Sequence, residues 1–155
     1  MLKTTEVISE PIRRTIFVGD KHFFLSFPKM KFEIYIQKVG NYIRFEFLKL
    51  KVYTGDAFHK IPFLPNMFFS GNLCLSIVNA YFEDTEQLQS AVIEAFWTEK
   101  FSSIIDYDVE IAAISDFVQY VSRANLDYLG YFELWEKKTK ENPKWVPGLD
   151  FFKVQ

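Results

Sequence analysis

Cysteine, histidine, glycine and proline are all scarce in this chain of 155 residues. It has one cysteine, two histidines, six glycines and six prolines. A single cysteine excludes an internal disulfide framework and is typical of a reducing compartment. With His22 and His59 as the only histidines, no spacing typical of a metal site is present. We therefore expect neither a metal nor another cofactor.

A strong charge of one sign and a long hydrophobic run are also missing. The formal net charge is −2, which argues against a nucleic-acid partner because such proteins normally present a basic face. No apolar run approaches the ~20 residues of a membrane-spanning helix, and residues 1–10 lack the apolar segment of a secretory signal. We expect no membrane partner and a cytoplasmic location, or a place within a particle assembled in the cytoplasm.

Hydrophobic residues are abundant, at 49% of the chain, and 18 of them are phenylalanine. Such a composition predicts a packed globular protein rather than a disordered one. The length fits a single domain over residues 1–155, which would bury roughly 68–70% of its unfolded surface. We interpret the phenylalanines as core residues rather than as a ligand-stacking surface.

The first third of the chain has the pattern of β-strands. Apolar and polar residues alternate, and turn residues such as Gly19-Asp20 and Gly40-Asn41 separate the runs. Strands are predicted over residues 15–18, 22–27, 31–37 and 42–48. Together they predict a four-stranded antiparallel meander with one buried face. Residues 1–11 are interpreted as a frayed end or an edge strand, and residues 50–53 as an extension of the last strand or a short fifth one.

Helical patterns occupy the last part of the chain. Asp84 and Thr85 can cap a helix whose apolar residues repeat at helical spacing, namely Leu88, Ala91, Val92, Ala95 and Phe96. Trp97 and Phe101 are interpreted as packing residues. The pattern therefore predicts a helix that begins near residue 85 and lies against the sheet.

Two further helices are predicted after it. One covers residues 111–123, and the other runs from after Asn125 to about Lys140 and buries Tyr128, Leu129, Phe132 and Trp135. Residues 142–155 form an aromatic tail that can dock on the body of the protein or on a neighbour. The predicted fold class is α+β, with the antiparallel meander, a long cysteine-bearing loop and C-terminal helices.

The only cysteine lies in the long irregular segment between Thr54 and about Asp84. Long loops inside compact domains are often functional. The thiolate of Cys74 can act as a nucleophile or acyl carrier, and the amide of Asn66, eight residues earlier, can donate hydrogen bonds to an oxyanion. Without such chemistry, Cys74 is a small core residue, and Asn66 and Gly71 are turn residues. Both interpretations stay open.

The segment resembles the active-site segment of ubiquitin-conjugating enzymes. That family has His-Pro-Asn, an aliphatic, an aromatic, two variable residues, Gly, a variable residue, an aliphatic, and the catalytic Cys followed by Leu. The chain matches it without a gap at Pro65, Asn66, Met67, Phe68, Gly71, Leu73, Cys74 and Leu75. Leu64 replaces the His, and Phe82 matches in kind the family's Trp eight residues after the cysteine. The segment also looks like divergent prokaryotic members, such as the PRTRC-system protein B type.

The resemblance implies an activity and its partners. Cys74 would take a ubiquitin-like protein as a thioester from an activating enzyme, and an amine would then attack that thioester. Asn66 would stabilise the oxyanion or brace the loop. Asp106 lies where the family often has an acidic residue that orients or deprotonates the attacking lysine, and Asp108 is an alternative. The family usually begins with an amphipathic helix, whose pattern residues 1–11 lack.

Two alternatives to this enzyme stay open. A catalytically inactive module of the same ubiquitin-conjugating-like fold would bind protein partners in an assembly, for example a phage particle, and the aromatic tail favours it. An enzyme that pairs Cys74 with His59 as a general base would require the two to meet across fifteen residues of loop. His59 is otherwise interpreted as a surface residue packed against Phe58 or Pro62.

Overall fold

The computed structural model describes residues 2–59, 64, 72–73, 75–101 and 128–152. Nine strands lie within these residues: β1 (Lys3–Ser9), β2 (Ile12–Val18), β3 (Lys21–Phe27), β4 (Met30–Val39), β5 (Tyr42–Thr54), β6 (Ala57–His59), β7 (Asn72–Leu73), β8 (Tyr81–Phe82) and β9 (Lys100–Phe101). The helices there are α1 (Thr85–Thr98), α2 (Tyr128–Glu141) and α3 (Leu149–Phe152). The strands form sheet A, in the order β1-β4-β5-β6 with β7 and β8 also on β5, and sheet B, in the order β3-β2-β9.

All four predicted strands are present, but the single four-stranded meander is wrong. The hairpin β2–β3 belongs to sheet B and the hairpin β4–β5 to sheet A, and no ladder joins β3 to β4, both of which are fully described. Pro28 lies between β3 and β4 and has no backbone N–H to donate to a ladder. Each hairpin turns at a glycine with positive φ, +62° at Gly19 and +61° at Gly40, which a residue without Cβ adopts readily.

The N-terminal segment forms an edge strand, which confirms one of the two interpretations of residues 1–11. β1 pairs antiparallel with β4 from Lys3 opposite Ile36 to Ser9 opposite Met30. Val7 lies opposite Phe32 and packs against the core. The N-terminal residues therefore extend sheet A rather than fray.

The predicted cysteine loop follows one edge of β5. After the turn at Gly55, β6 pairs with residues 52–54, β7 with residues 48–49 and β8 with residues 43–44, all antiparallel. The described parts of this segment are therefore an interrupted neighbour strand of β5 rather than irregular loop. Strands of two or three residues show no alternation, so their sequence pattern could not reveal them.

Helix α1 begins where its cap predicts. Asp84 Oδ1 accepts a hydrogen bond of 2.8 Å from the backbone nitrogen of Gln87. Leu88, Val92 and Phe96 are fully buried, and the ring of Phe96 meets that of Phe32 on sheet A. The packing roles predicted for Trp97 and Phe101 are confirmed, because both side chains are buried.

Helix α2 lies along the outer edge of β3. Phe132 and Trp135 are fully buried, as predicted, and Tyr131 is buried as well. The predicted burial of Tyr128 and Leu129 concerns side chains outside the described part of the chain, as does the helix predicted over residues 111–123. In the tail, Phe152 is fully buried and its ring lies 5.7 Å from that of Trp135.

The described residues form an α+β structure in which most strand pairs are antiparallel. This agrees with the predicted fold class at that coarse level. Within this part of the chain, the helices are too short or too polar for any of them to span a bilayer.

Candidate functional site

The predicted catalytic residues Cys74, Asn66 and Asp106 lie outside the described residues, as do Gly71 and Asp108. The structure does describe the chain immediately before and after Cys74. The candidate site is therefore described through the geometry of the residues that flank Cys74.

On the N-terminal side, the chain is fixed to sheet A by β7. Leu73 lies opposite Leu48 of β5, and both leucines are buried in the core. Asn72 lies opposite Lys49. The residue before Cys74 is thus held both by strand pairing and by burial of its side chain.

On the C-terminal side, a turn and β8 attach the chain to the same strand. Leu75 is buried, and the turn closes with a hydrogen bond of 3.0 Å from Ala80 N to Ile77 O. Asn79 adopts a φ of +69°, a left-handed conformation in which Asn is enriched. Its N–H donates to Phe45 O at 2.9 Å, and Phe45 N donates to Ala80 O at 2.9 Å.

Arg44 is the charged residue of β5 at the point where that strand pairs with β8. Its Nε donates to Glu46 Oε1 at 2.7 Å, and one terminal nitrogen donates to Gln37 Oε1 at 3.1 Å. Hydrogen bonds to Tyr81 and to Glu46 raise the pKa of Arg44 above its ordinary value. Tyr81 belongs to β8 and lies opposite Arg44, so the segment after the cysteine pairs with the strand that carries this charged side chain.

Glu99 is an acidic residue near the cysteine segment that the sequence analysis missed. Its Oε1 accepts a hydrogen bond of 3.0 Å from the backbone nitrogen of Ser76, two residues after Cys74. Glu99 directly follows α1 and is separated from Ser76 by 23 residues. No local pattern in the sequence indicates this contact, since it depends on how α1 packs on sheet A.

Two other positions of the matched motif are described. Leu64, which stands where the family has His, is only 1% exposed and belongs to the core. Phe82, which corresponds in kind to the family's Trp, lies opposite Ile43 in β8 and packs partly buried against the core. At residue 64, where the family has His, this chain therefore has an apolar side chain that packs in the core.

His59 ends β6 opposite Val52 and is half-buried. Its neighbour Phe58 packs its ring against Tyr53, with 5.1 Å between ring centroids. The role of His59 as a general base for Cys74 stays a prediction, because the thiol lies outside the described residues. Where side chains are described, no cluster of three or more His, Cys, Asp or Glu residues could hold a metal ion.

Together these contacts fasten the backbone on both sides of Cys74 to β5 and α1. Reactive groups function best on a backbone held by packing and hydrogen bonds, and the same contacts would also suit a cysteine that only packs. No protein-family model matches the chain, nor does any curated protein or solved structure. The resemblance to ubiquitin-conjugating enzymes therefore depends on the sequence motif around Cys74 alone.

Proposed function

We propose that the chain carries a ubiquitin-like protein as a thioester on Cys74 and transfers it to an amine. The observation that carries this proposal is the double attachment of the chain around the cysteine. Buried Leu73 and Leu75 hold the adjacent residues, and Glu99 binds the backbone two residues further on. The motif in register with Pro65, Asn66 and Gly71 supplies the chemistry.

In the first step, the Cys74 thiolate attacks the carbonyl carbon of the modifier's C-terminal residue, which an activating enzyme presents as a thioester. The new S–C bond forms as the activating enzyme's thiolate leaves. Exchange between two thioesters is nearly balanced in energy. Its rate depends on the fraction of Cys74 in the thiolate form, because the thiolate is the nucleophile.

In the second step, an amine attacks the thioester carbon, the C–S bond breaks and an amide forms. The amide group of Asn66 would donate a hydrogen bond to the oxyanion, and loss of one such donor typically costs about 10²–10³ in rate. Asp106 would orient the amine or accept its proton. The Cys74 thiolate is regenerated for the next cycle.

A non-catalytic module of the same fold is the second candidate function. The burial of Leu73 and Leu75 supports it too, because a cysteine between two core leucines can serve packing alone. The aromatic tail supports this candidate less in the structure than it does in the sequence alone. Phe152 is buried against Trp135 of its own chain, so this ring is not available to a neighbour.

The two candidates differ in whether a covalent adduct forms in the cells that make the protein. The tagged chain is recovered without reducing agent and its intact mass is measured. We expect an adduct that dithiothreitol removes and that is missing from Cys74→Ala. Cys74→Ser should instead form an oxygen ester that survives dithiothreitol and is cleaved by mild alkali. If the mass is that of the free chain in all three samples, transferase activity is rejected and the module is favoured.

A further inference from the structure

The outer edge strands of the two sheets differ in whether their outward backbone groups have hydrogen-bond partners. On β3, helix α2 occupies the outward backbone groups: Phe24 N donates to Glu136 Oε2 at 2.6 Å, and Ser26 N donates to Thr139 Oγ1 at 3.0 Å. On β1, the described residues provide no hydrogen-bond partner for any outward backbone group of Lys3–Ser9. Among the described residues, α2 therefore covers the outer edge of β3, and no element pairs with the outer edge of β1 along its seven residues.

A cleft of about 570 Å³ lies beside the open edge, between β1, β2 and α1. Val7 and Ile93 are apolar residues of its lining, and Trp97 and Thr98 line it from the C-terminal turn of α1. Gln89 Nε2 donates to Thr5 Oγ1 at 2.6 Å, which joins α1 to β1. A strand added to β1 would therefore place every second side chain over this cleft.

Arg14 supplies the positive charge in the cleft. Its guanidinium carbon lies 4.7 Å from the centroid of the Trp97 ring, a cation–π contact that positions the group while leaving its side chain exposed. Across the described part of the chain, no carboxylate comes within salt-bridge distance of it. Glu94, the acidic residue of the cleft, is exposed and also faces a second groove.

We propose that the open edge of β1 and the adjoining cleft bind an extended peptide segment of a partner protein, which adds to sheet A as a further strand. Its main chain would pair with the outward groups of β1, and its side chains would supply specificity, as in other cases of strand addition.

The cleft determines which side chains the segment carries. An aliphatic residue fits over Val7 and Ile93, where apolar surface on both elements is brought together. The next residue on the same face, two positions along the segment, reaches the end of the cleft at Arg14 and Thr98. A carboxylate there would form a charge-assisted hydrogen bond with the guanidinium. The recognised segment is thus extended, with an aliphatic and an acidic residue two positions apart.

None of the residues that line this cleft belongs to the segment around Cys74, and the inference holds whether or not the cysteine is reactive. It also provides the inactive module with a concrete binding mode. An enzyme could use the same edge to hold a partner while Cys74 reacts.

The test begins with random linear dodecapeptides displayed on phage and selected on the full chain. A selected peptide is synthesised, and its affinity is measured by fluorescence anisotropy for the natural chain, Arg14→Gln, Arg14→Glu and the control Lys38→Glu. Lys38 is exposed on β4 and does not line the cleft. Amide hydrogen exchange, followed by NMR with and without the peptide, reports which strand the peptide joins.

We expect selected peptides to share an aliphatic residue two positions from Asp or Glu. Both Arg14 variants should weaken binding roughly tenfold or more, whereas Lys38→Glu should not. Every second amide of β1 should exchange more slowly with peptide bound, because outward groups alternate along an edge strand. A library without binders, a peptide that binds Arg14→Glu as tightly as the natural chain, or a peptide that protects no β1 amide would overturn the proposal. Thermal unfolding establishes that each variant is folded. If Arg14→Glu does not fold, Arg14→Gln is the variant that tests the proposal.

Discussion

The indole nitrogen of Trp135 donates a hydrogen bond of 2.8 Å to the backbone oxygen of Ser26. The backbone nitrogen of the same Ser26 donates to Thr139 Oγ1, one helical turn further along α2. Both side chains are fully buried. Helix α2 thereby satisfies the edge of β3 in place of a further strand, and the position of the helix is coupled to the stability of sheet B.

Thr139→Val removes the hydroxyl of this network at nearly constant volume. We expect a loss of about 1–3 kcal/mol in the free energy of unfolding, because Ser26 N is left buried without its acceptor. Thr98→Val is a matched control. Thr98 and Thr139 each donate to the carbonyl oxygen four residues earlier at 2.9 Å, but Thr98 is exposed. The control should cost about 0.5 kcal/mol or less. Equal losses in urea denaturation would contradict this role of Thr139.

Asp84→Ala removes the N-cap of α1. Since Asp84 Oδ1 accepts from Gln87 N, we expect a loss of about 1 kcal/mol in the free energy of unfolding. Glu86→Ala, in the first turn of the same helix, removes only a favourable charge. It should lower the free energy of unfolding by about 0.3 kcal/mol or more at low salt. If added salt abolished the effect of Asp84→Ala, the charge rather than the cap would be responsible.

Glu99→Ala removes the acceptor for Ser76 N. We expect the amide of Ser76 to exchange with solvent roughly tenfold faster, because a hydrogen bond to a charged group contributes about 1.5 kcal/mol or more. Glu99→Gln, which keeps an oxygen acceptor, should restore most of the protection. Glu94→Ala, on the exposed side of α1, is the control. Unchanged exchange at Ser76 in Glu99→Ala would show that Glu99 does not hold this segment.

The buried side chain of Tyr131 makes the free energy of unfolding depend on pH in the alkaline range. Burial raises the pKa of Tyr131 well above its ordinary value, because the phenolate would lose its hydration. The folded state therefore favours the neutral phenol. Its contribution to stability is complete below the unfolded pKa of about 10 and is lost as pH rises toward the higher folded pKa.

Tyr131→Phe cannot ionise, so this variant should lose less stability than the natural chain between pH 9 and about 11. Because the lysines titrate in both proteins, their effect cancels in the difference between the two stability curves. Urea denaturation at several pH values gives the two curves. Parallel curves throughout this range would contradict a neutral, buried Tyr131.

Several elements could be predicted from local pattern because their determinants are local. The cap at Asp84 and the apolar spacing of Leu88, Val92 and Phe96 predict α1, and Gly19 and Gly40 predict the two hairpins. The hairpin pattern contains no information about which sheet each pair joins, so the division into sheets A and B was missed. The pairing of β7 and β8 with β5 was missed because each has only two residues.

The candidate site illustrates the same limit. The motif from Leu64 to Leu75 is continuous in the sequence and therefore easy to compare with a family. The contact between Glu99 and Ser76 joins distant residues through the packing of α1, and Arg14 meets Trp97 only after β2 and α1 pack together. Such contacts between elements are set by the tertiary structure and leave no periodic signal.

The proposed function requires Cys74 to be a reactive thiol, and its rate of alkylation measures that reactivity. Iodoacetamide is added to the native chain at several pH values and to the chain unfolded in urea, with Cys74→Ala as the control for other labelling. We expect native Cys74 to be alkylated at a rate comparable to that of the unfolded chain, and the rate to increase with the thiolate fraction. Alkylation that occurs only after unfolding would contradict it and leave Cys74 as a packing residue.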